Sequence, residues 1–312
     1  MKVGFIGLGL MGGSMASNVQ KGGHALVVHD VRPEAAKPHL AAGAVWARSP
    51  REVAEASEVV LTSLPGPPEV EAVVLGPDGL LAGLRPGQAY VDLSTNSPTV
   101  VRRIHATLAR QGVPMLDAPV SGGPRGARTR QLAIWVGGDE AVFHRCKPVL
   151  DAMGDQVRRV GAIGAGSIAK LVHNMTTYCV QTALAEVFTL GVKAGVEPIE
   201  LWEAVRHGAT GRQRTFDRLA DGFLLGRYDP PSFALRLAHK DVTLATALGR
   251  EHQVPMRVAN LVLEEMTEAL NRGWGDRDSR SPMLLQEERA GVPVRADEAA
   301  IARVLERDPR AS

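Results

Sequence analysis

Lys170 and Asn174 are the pair of residues in this chain whose types and spacing most directly suggest acid–base chemistry. They lie four positions apart in a segment with helical periodicity, so both side chains share one face near the start of that helix. The flanking residues in 168–172 are apolar, which predicts a poorly solvated lysine. Burial and the positive end of the helix dipole both lower a lysine pKa, and such an amine can exchange a proton near neutrality. The same spacing is also typical of an exposed lysine at a helix start, and spacing alone leaves both interpretations open.

A second group of residues has the chemistry to bind phosphates. A G-x-G-x-x-G fingerprint lies between the apolar run 3–6 and a helix-like stretch at 11–21. In such a loop the glycines permit a tight turn, a close approach of the backbone to a pyrophosphate, and close packing of the helix on the strand. The N-terminus of the helix then faces the phosphates. The predicted loop comprises Gly7, Leu8, Gly9, Leu10, Met11 and Gly12.

Asp30 ends the second predicted strand, twenty-three residues after Gly7. An acidic side chain at this place accepts hydrogen bonds from the adenine ribose and repels a 2′-phosphate, so we predict NAD as the cofactor. Arg32, two residues later, can accommodate that phosphate, so the pattern also allows NADP.

Two further segments follow predicted strands, where open α/β sheets bind their ligands. These are Leu64-Pro65 and Ser94-Thr95. For the first, sequence reasoning alone favours a plain turn that ends a strand.

Ser121, Gly122 and Gly123 follow another predicted strand and offer one hydroxyl beside two residues without a Cβ atom. Such a loop can direct backbone N–H groups and an O–H at a carboxylate. A flexible turn has the same composition, so the residues alone do not decide between a binding site and a turn.

The elements that must position these residues alternate between strand and helix up to about residue 163. This pattern predicts a parallel sheet with helices on both faces. The predicted strands are Val3–Ile6, Ala25–His29, Val59–Ser63, Ala89–Leu93, Pro114–Asp117, Leu132–Val136 and Gln156–Val160. Ser49 and Ser97, each followed by proline, predict helix starts.

Beyond residue 166 the pattern becomes helical throughout. The stretch Ser167–Ala194 predicts a single helix, about 40 Å long, suited to linking two domains. Further helices are predicted at Pro198–Val205, Arg214–Leu225, Ser232–Ala247 and Pro255–Arg272. The charged stretch from Asp276 to Ser312 is typical of an arm or a short terminal helix. We therefore predict an α/β dinucleotide-binding domain at 1–163 and an all-α domain with a C-terminal arm at 164–312, joined by the long helix.

Composition limits the classes of partner. The 312 residues are 45% hydrophobic and 22% charged, with a net charge of +2, so nothing indicates nucleic acid. No apolar run approaches the ~20 residues that span a bilayer, which predicts no membrane segment. Cys146 and Cys179 are too few and too far apart for a disulfide framework or a zinc site. The only candidate leader, after Lys2, is interrupted by glycines, so we predict a cytoplasmic protein. Because the cysteines offer no zinc site, we also predict a protein without a metal.

Six segments, in this order, resemble the β-hydroxyacid dehydrogenase family, which contains 3-hydroxyisobutyrate dehydrogenase and tartronate semialdehyde reductase. The resemblance extends to about Ser279. The segments are Phe5–Val19, Thr62–Pro65, Asp92–Thr95, Asp117–Gly123, Gly164-x-Gly-x-x-x-Lys170-x-x-x-Asn174 and Lys240-Asp241.

The resemblance implies a Rossmann-type domain and a hydride transfer between NAD(P) and a small anionic 3-hydroxy acid or its semialdehyde. It implies Lys170 as the catalytic acid and base, with Asn174 as its partner in orienting the substrate. It also implies that segment 121–123 binds the substrate carboxylate. Four residues are implied to line the dinucleotide, namely Leu64, Pro65, Thr95 and Lys240. Family members assemble as dimers or tetramers, which implies a homo-oligomer.

The chain departs from the family pattern at several positions. Arg130-Gln131 stand where the family often has Gly-Thr, within a run that contains Arg125 and Arg128. A second basic cluster, Arg212 and Arg214, lies where the helical domain of relatives approaches the pocket. His173 occupies a position that is commonly Asn. One interpretation is a substrate with a second anionic group, such as a dicarboxylate, a phosphate or a sulfonate, and another is a scatter of solvated arginines. A non-catalytic dinucleotide-binding interaction protein is the alternative from another class, although the presence of Lys170 argues against it.

Overall fold

The computed structural model describes residues 1–193, 195–208, 219–220, 222–251 and 256–306. Two compact units make up the chain, residues 1–173 and 174–312. The first unit is built on a sheet, and the described part of the second is largely helical.

A nine-stranded sheet forms the first unit, in the order β3-β2-β1-β4-β5-β6-β8-β7, with β9 paired to β8. Its strands β1 to β6 run parallel, and β8 pairs antiparallel with both β6 and β7. The order of the first six strands is that of a doubly wound Rossmann sheet. The strands are β1 Lys2–Ile6, β2 Ala25–His29, β3 Val45–Trp46, β4 Val59–Thr62, β5 Ala89–Asp92, β6 Met115–Asp117, β7 Val120–Ser121, β8 Leu132–Gly137 and β9 Gly154–Gly161.

All seven strands expected from the sequence are present. The sequence did not indicate β3 and β7, because two residues are too few for an alternating or apolar pattern to be recognised. Ser121, placed in a loop by the sequence, is therefore the last residue of a strand.

Helices cover both faces of this sheet. They are α1 Leu10–Lys21, α2 Lys37–Ala41, α3 Pro50–Glu55, α4 Pro67–Leu75, α5 Leu80–Gly83, α6 Pro98–Ala109, α7 Gly123–Thr129 and α8 Glu140–Asp151, with a 3-10 turn at Pro33–Ala36. At α3 the Ser49 hydroxyl accepts the N–H of Glu52 at 3.2 Å, as a helix cap does. The Glu52 carboxylate accepts the N–H of Arg48 and not that of Ser49, so only one of the two hydrogen bonds of a capping box is formed.

Two apolar cores lie on opposite faces of the sheet. Val3 and Phe5 belong to one core and Ile6 to the other, because successive side chains of β1 point to opposite sides. Met15 of α1 packs in the first core and Ile104 of α6 in the second. The sheet is thus covered on both faces, as a parallel sheet requires.

The long helix α9 runs over 29 residues, Ala165–Lys193. Its start lies two residues before the predicted one, and Ala194 lies outside the described residues. The boundary between the two units falls inside this helix.

The second unit contains five further described helices. They are α10 Pro198–His207, α11 Leu235–Glu251, α12 Arg257–Asn271, α13 Met283–Ala290 and α14 Glu298–Glu306. Phe188, Trp202 and Phe223 are the largest side chains of its core. Residues 219–220 and 222–225, the described part of the predicted helix Arg214–Leu225, form turns and no α-helix; residues 214–218 and 221 lie outside the described residues.

Two expectations about the second unit differ from the structure, one on the start of α11 and one on the stretch beyond Asp276. Helix α11 starts at Leu235 and not at Ser232, because Ser232 donates its N–H and its hydroxyl to the Asp278 carboxylate. The stretch beyond Asp276, expected to be an arm or a short terminal helix, contains two helices, α13 and α14, whose Leu285 and Ile301 are buried. Among the described helices, none has both the length and the apolar content to cross a bilayer.

Candidate active site

The glycine-rich loop turns between β1 and α1, and two of its glycines are required by contacts. Gly7 has φ +91°, and a Cβ atom there would overlap the carbonyl oxygen of Ser63. A Cβ atom on Gly12 would overlap the carbonyl oxygen of Gly7. Both positions therefore admit only glycine, which explains the tight turn and the close packing of α1 on the sheet.

Gly9 differs, because a Cβ atom there would have nothing within 4 Å. It is the N-cap residue of α1, and no described side chain caps that helix end. The first N–H groups of α1 thus border an open space with a positive helix dipole, which is the arrangement that accepts a pyrophosphate. These residues fit a dinucleotide.

Asp30 is placed beside this loop by the end of β2. Its Oδ2 atom accepts the N–H of Leu8 at 2.6 Å, and its Oδ1 atom accepts the N–H of Arg32 at 2.8 Å. Asp30 is 7% exposed, whereas the Arg32 side chain is 63% exposed and lies 3.7 Å from Oδ1. The carboxylate thus bridges the strand end and the glycine loop and keeps further lone pairs for a ribose.

Asp92 organises the ends of β4 and β5. Its Oδ1 atom accepts the Thr62 hydroxyl and the N–H of Ser94, both at 3.0 Å, and its Oδ2 atom accepts the Asn96 amide at 2.9 Å. The Ser94 hydroxyl then accepts the N–H of Leu64 at 2.9 Å. Burial raises the pKa of Asp92, and these hydrogen bonds offset part of the cost of burying the charge.

The two predicted cofactor-lining segments are therefore joined to each other. The bond between Ser94 and Leu64 holds the ends of β4 and β5 together at the carboxyl edge of the sheet. Leu64 and Thr95 are half-buried at this edge, and Pro65 is exposed. Sequence reasoning missed Asp92 as the organising residue; the available signal was an acidic residue closing an apolar strand.

Asp117, at the end of β6, holds the start of α9. Its Oδ1 atom accepts the N–H of Gly164 and its Oδ2 atom the N–H of Ser167, both at 2.7 Å. Burial raises the pKa of Asp117 to about 6, against the lowering effect of these hydrogen bonds. This buried cap determines where the helix that carries Lys170 begins.

Ser121 ends β7 and lies next to α9. Its Oγ atom is 3.3 Å from Nε2 of His173, whose ring packs against Trp135 with the ring centroids 5.0 Å apart. Gly122 and Gly123 follow with φ +136° and +60°, and a Cβ atom on Gly123 would meet nothing within 4 Å. The segment combines a hydroxyl and an open backbone turn, as an anion-binding loop requires.

Lys170 lies on α9 one turn before His173. The residue is half-buried, Leu171 is buried, and Val172 is 60% exposed. The expectation that 168–172 is a buried stretch is therefore wrong at Val172, because a helix at a unit surface exposes one of its sides. Through the contact between Ser121 and His173, the turn of α9 that carries Lys170 adjoins the loop at 121–123.

In the second unit, Asn174 and Lys240 share one buried carboxylate. The amide Nδ2 of Asn174 donates to Oδ2 of Asp241 at 2.6 Å, and Nζ of Lys240 lies 2.9 Å from Oδ1. Asp241 is 2% exposed. Lys240 is thus not in a solvated charge pair; it forms a salt bridge to a buried carboxylate that also fixes the Asn174 amide.

The unusual arginines have no common site among the described residues. Arg125, Arg128 and Arg130 are exposed, and Nε of Arg130 donates to the carbonyl of Ala152. Arg212 and Arg214 lie outside the described residues. In the part of the chain that the structure describes, no three His, Cys, Asp or Glu side chains are grouped so as to hold a metal.

Two known domain families match adjacent parts of the chain. Residues 2–164 match the NAD binding domain of 6-phosphogluconate dehydrogenase. Residues 164–285 match the NAD-binding domain of NADP-dependent 3-hydroxyisobutyrate dehydrogenase. Together they cover the described parts of both units up to helix α13.

Individual proteins match over nearly the whole length. The chain is 35% identical to a 2-(hydroxymethyl)glutarate dehydrogenase from Eubacterium barkeri, covering 94% of this chain and 97% of the relative. It is 35% identical to an NAD-dependent L-serine dehydrogenase from Pseudomonas aeruginosa, covering 89% and 95%. The structure of Mycobacterium tuberculosis 3-hydroxyisobutyrate dehydrogenase with L-serine superposes with a TM-score of 0.82 at 31% identity, covering 91% and 98%.

Proposed function

Because this chain belongs to the β-hydroxyacid dehydrogenase family of NAD(P)-dependent oxidoreductases, which act on CH–OH groups of small hydroxy acids, we propose that its substrate is a small 3-hydroxy acid with a free carboxylate. The semialdehyde of that acid is the product. In this proposal Lys170 moves the hydroxyl proton.

One observation carries the proposal. The contact between Ser121 and His173 brings a loop with the chemistry to bind a carboxylate against the turn of α9 that carries Lys170. A 3-hydroxy acid has its carboxylate and its hydroxyl two carbons apart, so neighbouring groups for an anion and for a proton match this class of substrate. Proximity of this kind is a large part of enzymatic rate enhancement.

The cofactor residues are proposed from the glycine loop and the adjoining strand ends. Residues 7–12 would hold the pyrophosphate at the N-terminus of α1, and Asp30 the adenine ribose. Leu64, Pro65 and Thr95 would line the dinucleotide along the carboxyl edge of the sheet. Bound NAD(P) supplies the acceptor or donor of the hydride.

The remaining steps belong to the side chains of the chain itself. Ser121, Gly122 and Gly123 bind the carboxylate through one hydroxyl and two backbone N–H groups. In oxidation the Lys170 amine accepts the hydroxyl proton while a hydride leaves the carbon that bears the hydroxyl group. In reduction the Lys170 ammonium returns that proton to the oxygen. Asn174, with its amide nitrogen bound to Asp241, presents its carbonyl oxygen in a fixed direction.

The proposed cofactor is NAD, with NADP as the alternative. A nearly buried Asp30 carboxylate accepts hydrogen bonds from a ribose diol and repels a phosphate on the same oxygen. The largely exposed Arg32 side chain is free to turn toward a 2′-phosphate, which is why NADP stays in the test. A cytoplasmic homodimer or homotetramer completes the proposal, on the strength of the family resemblance.

The test is a panel of candidate substrates assayed with NAD and NADP at alkaline pH. The panel contains 3-hydroxyisobutyrate, L-serine, glycerate, 2-(hydroxymethyl)glutarate and a sulfonated analogue. Turnover of a one-carboxylate acid that is lost in Lys170→Met supports the proposal. A preference for 2-(hydroxymethyl)glutarate or the sulfonate would instead favour a substrate with a second anion. Tight NAD binding without turnover of any member would overturn it in favour of a binding protein.

A further inference from the structure

His173 lies in contact with Ser121 and has no role in the steps described above. Its Nε2 atom is 3.3 Å from the Ser121 Oγ atom, within hydrogen-bonding range of a hydroxyl. It is one helical turn after Lys170 on α9, so it joins the proposed carboxylate loop to the proposed catalytic turn.

Trp135 restricts the orientation of the His173 ring. The two ring centroids are 5.0 Å apart and the rings are inclined at 48°, a tilted aromatic pair. Trp135 belongs to β8, the strand that also pairs with Ser121 through Ala133. One strand therefore supports both partners of the contact, and the nitrogen that faces Ser121 is Nε2.

The direction of this hydrogen bond decides what Ser121 can offer a ligand. A serine hydroxyl has one proton, and a carboxylate can only accept hydrogen bonds. If Nε2 accepts that proton, Ser121 presents a lone pair to the substrate and repels it. If Nε2–H donates to Oγ, the hydroxyl proton is left for the carboxylate.

We propose that His173 is a positioning residue: its Nε2–H donates to the Ser121 Oγ atom and thereby directs the Ser121 hydroxyl proton at the substrate carboxylate. This inference rests on the proposed function of Ser121. It adds a determinant of carboxylate recognition outside the 121–123 loop, at a position where the chain departs from the family pattern.

The experiment compares His173→Phe, Ser121→Ala, the double variant and His173→Gln with the wild type. Phenylalanine keeps a ring against Trp135 and removes the N–H, whereas the glutamine amide places an N–H donor at the distance of Nε2. Loss of one hydrogen bond to a carboxylate is worth about tenfold in KM. We expect His173→Phe to raise KM for the hydroxy acid about tenfold while kcat changes by less than about threefold.

Two readouts separate positioning from a merely structural role. The effects of His173→Phe and Ser121→Ala should not multiply in the double variant, because one acts through the other. The methyl ester of the same hydroxy acid has no carboxylate, so its KM should not respond to His173→Phe. His173→Gln should return KM to within about threefold of the wild type.

A matched control is His144→Phe, an exposed histidine on α8 whose ring is 5.3 Å from Phe143. It should leave KM unchanged. An unchanged KM in His173→Phe, multiplying effects in the double variant, or an equal effect on the ester would overturn the inference. If His173→Phe fails to fold, His173→Leu, which also lacks an N–H group, replaces it in each comparison. A wild type inactive on every hydroxy acid would refute the proposed function instead.

Discussion

Asp117 caps the helix that carries Lys170 from a position fifty residues earlier in the chain, because its Oδ2 atom accepts the N–H of Ser167 at 2.7 Å. Its Oδ1 atom accepts the N–H of Gly164 at the same distance. In the folded sheet the end of β6 lies next to the start of α9, and the buried Asp117 carboxylate joins the two. Burial raises the pKa of this carboxyl to about 6.

Replacing Asp117 by Asn should remove a pH-dependent component of stability. Between the ordinary pKa of 3.8 and about 6, the carboxyl is protonated in the folded protein and ionised in the unfolded chain. The folded state then binds more protons, so the free energy of unfolding falls as pH rises through this interval. The loss approaches about 3 kcal/mol, at about 1.4 kcal/mol for each tenfold change in proton concentration.

The measurement is urea unfolding of both proteins at pH 4, 5, 6 and 7. The stability of the wild type relative to Asp117→Asn should decline from pH 4 to 6 and then level off. Ser49→Ala removes a neutral helix cap at α3 and should lower stability by about 1 kcal/mol at every pH. A wild-type advantage that grows with pH would contradict the raised pKa.

Lys170→Met should abolish most of the activity without affecting cofactor binding. The variant keeps the length of the side chain but cannot transfer a proton, so kcat should fall by about 10²–10⁴-fold. The kcat of Lys170→Arg should fall by a similar factor, since a guanidinium keeps its proton. Single-turnover kinetics and an NAD titration measure the two effects separately.

Lys147→Met is the matched control for that experiment. Lys147 forms an exposed i,i+4 pair with Asp151 at 2.7 Å on α8, which is worth at most about 1 kcal/mol. Its activity should match that of the wild type. Activity of Lys170→Met within tenfold of the wild type would exclude Lys170 as the acid and base.

Asp30→Asn should shift the cofactor preference toward NADP. The amide is close in shape, but it lacks the charge that favours the ribose hydroxyls and repels a 2′-phosphate. The ratio of kcat/KM for NAD to that for NADP should fall at least about tenfold. Glu34→Gln, an exposed carboxylate in the neighbouring 3-10 turn, should leave that ratio unchanged. An unchanged ratio in Asp30→Asn would show that other groups choose the cofactor.

Gly9→Ser and Gly12→Ala should separate binding from folding within one loop. A side chain at Gly9 enters open space and serine is a good N-cap, so the melting temperature should stay unchanged while Kd for NAD rises about tenfold. A Cβ atom at Gly12 overlaps the Gly7 carbonyl, which should cost about 1–3 kcal/mol of stability. Calorimetry and NAD titration test both. Equal losses of stability in the two variants would contradict the open space above Gly9.

Much of the fold followed from local patterns. Mainly apolar runs of four or five residues predicted most of the strands, and an uninterrupted 3.6-residue period predicted α9 to within two residues at its start. Two-residue strands such as β7 were missed. The residues of β7 form a strand because they pair with β8, and not because of a β-propensity of their own. The start of α11 was misplaced by three residues because a distant carboxylate, Asp278, holds Ser232 outside the helix.

The residues of the candidate site likewise include some that local patterns predicted and some that they did not. Gly7, Gly12 and Asp30 were recognisable because a tight turn and a strand end restrict residue type locally. Asp92 and Asp117 were not, because their importance comes from burial beside groups far away in the chain.

By itself the sequence determined the main strands and helices of the first unit, the glycine-rich loop and the choice of candidate lysine, because each depends on neighbouring residues. Only the tertiary structure decided which partners meet across the sheet: Asp117 with the start of α9, and Ser121 with His173. It also decided that Asp241 is buried between Asn174 and Lys240. Apart from that of the adjacent Lys240 and Asp241, these pairings join residues fifty or more positions apart, and all depend on tertiary packing, for which periodicity and spacing contain no signal.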